Sequence, residues 1–94
     1  MAGPPVGLTG AQISGIISRS LWAVLGRTPA FNPSQSLQSL GVFTAQQVAV
    51  LTANVISNVA GLGFTLSPST LGSISPSSTI SDLAQAISGA TANG

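Results

Sequence analysis

Residues 44–62 read TAQQVAVLTANVISNVAGL, and this stretch decides the fold. At helical period, Val48, Leu51, Val55, Ile56, Val59 and Leu62 fall on one stripe. Gln46, Gln47, Asn54, Ser57 and Asn58 fall on the other side, where Val50 is the one sizeable apolar side chain. Thr44 followed by Gln47 is a capping box, in which hydroxyl and amide satisfy two orphan N–H groups reciprocally. Gly61 and Gly63 offer the left-handed residue that a helix end prefers. The stretch predicts the central helix of a small bundle, with a polar face that carries amides and hydroxyls but no charge.

Upstream, Thr9 and Gln12 repeat the T-x-x-Q box and predict a first helix to about Leu25. Its stripe is Ile13, Ile16, Ile17, Leu21 and Val24, closed by Gly26. Trp22 projects from the opposite side, either packed on a neighbouring loop or as a subunit contact. Pro29 and Pro33 punctuate the connection that follows. Asn32-Pro33 is a cap with proline at the first helical position, and predicts a short helix to about Leu40 with Leu37 and Leu40 inward. Downstream, Ser67-Pro68 opens a short turn or helix through Leu71. Ser75-Pro76 leads into a last helix with Ile80, Leu83, Ala84 and Ile87 on one face. Asp82 falls in its first turn, where the helix dipole favours an anion.

The expected fold is therefore all-α: a single bundle of about five helices over residues 9–89, three longer and two short. A Gly/Pro-rich lead-in, 1–8, and a fraying tail, 90–94, flank it. The first residues, MAGPPVG, hold neither a charged leader nor an apolar run, so no signal peptide is expected there.

Composition narrows the function. Of 94 residues 44% are hydrophobic and 4% aromatic, which requires an aliphatic core. Charged side chains make up 3%, namely Arg19, Arg27 and Asp82, against roughly 25% in ordinary soluble domains. A protein that must stay apart from its neighbours needs more surface charge, so self-association is the expected behaviour. Two arginines cannot build the basic patch that nucleic acid or an anionic membrane requires. The uncharged run from Val42 to Leu66 has its amides segregated to one face, as in a bundle helix and not a membrane span.

Catalytic chemistry has no material here. The chain holds no His, Cys, Glu or Lys, so metal ligands and general acid/base pairs are missing, and neither cofactor nor small-molecule substrate is expected. The fifteen serines have no base to activate them and read as caps and solvated faces. The segment Gly61-Leu62-Gly63 follows a helix, where a phosphate cradle would precede one. Arg19 and Asp82 are a candidate ion pair across the bundle, worth about 0.2–1 kcal/mol if exposed. Trp22 and Val50 are the candidate self-association residues.

Two stretches, LTANVISNVAGLGFTLSPSTL (51–71) and STISDLAQAISGA (78–90), resemble the globular helical domains of spider silk proteins, the spidroins. The likeness covers about half of the chain; Trp22 and the lack of cysteine depart from it. It implies a charge-poor bundle of a secreted structural protein that governs solubility and self-association during fibre assembly. A second likeness runs through LWAVLGRTPAFNPSQSLQSLG (21–41), which is similar to the first helix and long loop of acyl and peptidyl carrier domains. STISDLAQAI (78–87) is similar to their last helix. Such carriers bear phosphopantetheine on the serine of a Gly-x-Asp-Ser-Leu motif, which falls here on Gly41, Val42, Phe43, Thr44 and Ala45. Phenylalanine thus stands for the aspartate and threonine for the serine, and the second helix lacks the acids that partner enzymes read. This likeness implies a cytoplasmic, degenerate carrier-like domain that acts as a scaffold, with Thr44 as its one conceivable attachment point.

Overall fold

The structure, a computed structural model, describes residues 8–28 and 30–92. Among them run α1 (Gly10–Leu25), α2 (Leu37–Leu40), α3 (Ala45–Gly61), a 3-10 turn (Pro68–Leu71) and α4 (Ile80–Ser88). Two short strands, β1 (Phe64–Thr65) and β2 (Thr91–Ala92), pair antiparallel, with Phe64 opposite Ala92. The fold is all-α. Where five helices are expected, the described residues form four α-helices, and Pro68–Leu71 form a 3-10 turn.

The capping boxes at Thr9/Gln12 and Thr44/Gln47 both form, with each hydroxyl accepting from the amide of its glutamine. The first helix ends at Leu25; the Gly26 N–H donates to the Trp22 carbonyl, and the residue's left-handed φ of 72° turns the chain out of the helix. α1 and α3 lie antiparallel: Gln12 and Gly15 share one groove with Asn58 and Leu62, while Ala23 and Val24 share another with Gln47 and Val50. Their facing stripes bury Ile16, Ile17 and Leu21 against Val48, Leu51, Val55 and Val59. Leu37, Leu40, Val42, Leu66 and Leu71 close the core from the connections, and Ile80, Leu83 and Ile87 close it from α4. No aromatic ring is fully buried among the described residues; Phe31 and Phe64 pack half-buried on the rim.

Leu62 departs from the stripe reading. It is 43% exposed, because α3 ends at Gly61 and Gly63 turns the chain away at φ 85°. Asn32-Pro33 does not start a helix either. Asn32 Oδ1 accepts from the Ser34 amide, a turn results, and α2 begins only after the Ser36 cap. The reason is long-range: the carbonyls of Pro33 and Gln35 accept the N–H groups of Ser81 and Ile80, the first amides of α4. A helix through Pro33 would use those carbonyls itself. In the same way Leu37 and Gln38 donate to the carbonyls of Ser78 and Pro76. The cap of α4 is accordingly Thr79, boxed with Asp82, and not Ser75.

At the ends, Leu8 packs on the core from within the expected lead-in. Ala90 is 4% exposed and Thr91–Ala92 form β2, so the chain is built into the fold beyond residue 89. The rest of the lead-in, Pro29 and residues 93–94 lie outside the described residues. No helix among the described residues is long and apolar enough to cross a membrane.

Candidate functional site

The turn from Gly41 to Thr44 presents the one hydroxyl at which the sequence places a candidate attachment. Gly41 adopts φ 116°, and a Cβ there would sit 3.1 Å from Leu25 Cδ2, so the turn packs directly on the end of α1. The Gly41 and Val42 amides donate back to Gln38 and Leu37, which ends α2 in a tight reversal. Val42 is fully buried, whereas the Phe43 ring is 66% exposed and Thr44 is exposed beside it. The turn thus buries Val42 and leaves two neighbouring side chains, Phe43 and Thr44, outside at the N-terminus of α3.

The Gln47 side chain holds this turn. Its Oε1 accepts from the amides of Phe43 (2.8 Å) and Thr44 (3.1 Å), and its Nε2 donates to the Gly41 carbonyl at 3.2 Å. The Thr44 hydroxyl accepts from the Gln47 amide at 3.0 Å and donates to Gln47 Oε1 at 3.4 Å. Gln47 therefore engages both the proton and a lone pair of the hydroxyl. The capping box is legible in the sequence; the reach of Gln47 to Gly41 and Phe43 is not, because it depends on the left-handed Gly41.

Thr44 and Val50 come together. With Ala23, Val24, Gln46 and Gln47 they line a groove of ≈ 270 Å³ between the end of α1 and the start of α3. The remaining candidates lie apart. Trp22 is 61% exposed on the outer face of α1 and is not packed into the core, which removes the alternative of a ring packed out of solvent by a neighbouring loop.

Arg19 and Asp82 do not pair. Arg19 borders a groove between α1 and α3 with Gln12, Asn58 and Leu62. Asp82 stands on α4 in a different groove with Thr70, Ser73 and Gln85, and its Oδ2 accepts the Thr79 amide at 3.0 Å. Among the described residues no cluster of three or more His, Cys, Asp or Glu side chains is positioned to hold a metal ion. The arrangement offers hydroxyls engaged in helix caps and four large apolar side chains, Trp22, Phe43, Val50 and Leu62, exposed to solvent. Compared with known protein families, with curated proteins and with solved structures, the chain finds no match in any of the three.

Proposed function

We propose that the chain is a carrier-like helical domain that works without a prosthetic group, as a non-catalytic docking module of a larger synthase. On this reading the 3-10 turn Pro68–Leu71 is the fifth member of a five-element bundle, and the compartment is cytoplasmic. The observation that carries the reading is the Gly41–Thr44 turn. A hydroxyl stands exposed at the start of α3, after a long connection from α1 and beside an exposed Phe43 that follows the buried Val42. The residues at the turn also support the absence of modification. Phe43 replaces the acid of the carrier motif, and the Thr44 hydroxyl is taken up by Gln47. The test restores the two missing residues, Phe43→Asp with Thr44→Ser, and asks whether a phosphopantetheinyl transferase then loads the chain.

A second reading is favoured by a different observation. Trp22, Phe43, Val50 and Leu62 are exposed on a surface that carries three side-chain charges in all. Apolar side chains without charged neighbours favour association between copies. On that reading the domain is a secreted, silk-like structural module that stores soluble protein and shares apolar faces during assembly. Sedimentation at rising concentration tests it, with Trp22→Ala as the variant expected to remain monomeric.

A further inference from the structure

The three side-chain charges are distributed unevenly. Both cations flank Trp22, Arg19 three residues before it on α1 and Arg27 five residues after it, just past the helix end. The one anion, Asp82, stands on the outward side of α4, whose opposite side buries Ile80, Leu83 and Ile87. Arg19 has Asn58, Gln12 and Leu62 around it and no carboxylate. One oxygen of Asp82 caps Thr79, which leaves Oδ1 available to a second donor. Opposite charges on separate surfaces of one molecule cannot meet within it, but they can meet between copies.

We propose that the chain associates head to tail, the α1 face of one copy (Arg19, Trp22, Leu62) docking on the α4 face of the next around Asp82. The occupant is a second copy because the charges are self-complementary. Symmetric packing of α1 on α1 would set arginine against arginine around Trp22, whereas α4 supplies the one acidic side chain of the sequence. The Arg19–Asp82 pair sets orientation, and the Trp22 and Leu62 side chains provide the apolar contact. A contact between two different faces leaves one of each unused in a dimer, so it propagates beyond two copies into rings or open chains. This inference builds on the self-association reading and is independent of the carrier-like one.

The experiment is sedimentation velocity at low salt over a wide concentration range, with helicity checked for every variant. The wild type should show a sedimentation coefficient that keeps rising past the dimer. Arg19→Glu should weaken association about tenfold or more, since it sets like charge against Asp82. Asp82→Asn, which keeps an oxygen for the Thr79 amide, should weaken it without unfolding α4. Arg27→Gln should leave it unchanged. Arg19→Glu combined with Asp82→Lys should restore it. A wild type that stays monomeric overturns both the inference and the self-association reading. Association that is lost in Trp22→Ala but indifferent to Arg19 and Asp82 overturns the head-to-tail contact alone, as does association that saturates at a dimer.

Discussion

Asn58 Nδ2 donates a hydrogen bond to Ser20 Oγ at 3.2 Å, and this bond ties α3 to α1 across an otherwise aliphatic seam. Ser20 is 0% exposed and is the one fully buried polar residue among those described. In so apolar a core, sliding α1 against α3 by a turn would keep aliphatic contacts but leave the serine without its partner. The pair therefore sets the register between the two long helices. Asn58→Ala should cost about 1–3 kcal/mol in urea unfolding, because it strands a buried hydroxyl. Ser20→Ala with Asn58→Leu should lie within about 1 kcal/mol of the wild type, since removing both polar partners leaves nothing unsatisfied.

The Gln47 side chain makes four hydrogen bonds to the Gly41–Thr44 turn, whereas that of Gln12 makes one, to the Thr9 amide. Gln47→Ala should therefore destabilise the domain more than Gln12→Ala, by about 1 kcal/mol or more. Thr44→Ala should cost about 0.5–2 kcal/mol and Thr44→Ser much less, since serine keeps the cap. Equal losses for the two glutamines in denaturant titrations would show that the turn does not depend on the clamp.

Much of this architecture is legible in the sequence, and the largest exception is a long-range pairing. The boxes at Thr9 and Thr44 are local, three residues apart, and they form where the spacing places them. The apolar stripes of α1 and α3 are local as well, and their centres are buried as expected. What the sequence does not reveal is the pairing of 33–38 with 76–81, which takes the Pro33 and Gln35 carbonyls out of a helix and gives them to α4. The Thr79/Asp82 box is also local, three residues apart, but Ser75-Pro76 offers a competing cap upstream of it. The strand β2 depends on a partner more than two dozen residues away. At the candidate site, the exposure of Phe43 follows from the left-handed Gly41, and the exposure of Leu62 from a helix that ends one residue sooner than its stripe.

Trp22 is the chain's one tryptophan and is largely exposed, so its emission reports on the outer face of α1 alone. In dilute solution acrylamide should quench it efficiently, and Trp22→Ala should change stability by no more than about 0.5 kcal/mol. At concentrations where copies associate, quenching should fall. A strongly protected, blue-shifted emission in dilute monomer would place the ring in a packed environment instead.

The chain holds no histidine and no cysteine, the side chains that ordinarily change charge near neutral pH. Stability changes with pH only where folded and unfolded states bind different numbers of protons. Thermal midpoints at pH 8, 7 and 6 in constant salt should therefore agree within about 2 °C, which is less than a 1 kcal/mol change would produce. A larger drift would reveal a proton-linked step that these side chains do not supply.

The carrier-like reading is tested by the intact mass of the Phe43→Asp, Thr44→Ser variant after incubation with coenzyme A and a promiscuous phosphopantetheinyl transferase. Both substituted side chains are exposed and serine preserves the cap, so the variant should fold with wild-type helicity. If the Gly41–Thr44 turn is a degenerate carrier site, the variant gains one phosphopantetheine, and Thr44→Ala together with Phe43→Asp gains none. The wild type, with Phe43 beside a hydroxyl held by Gln47, stays unmodified. A folded double variant that takes up no prosthetic group would contradict the carrier-like reading, and a wild type loaded at Thr44 would contradict the claim that the domain works without one.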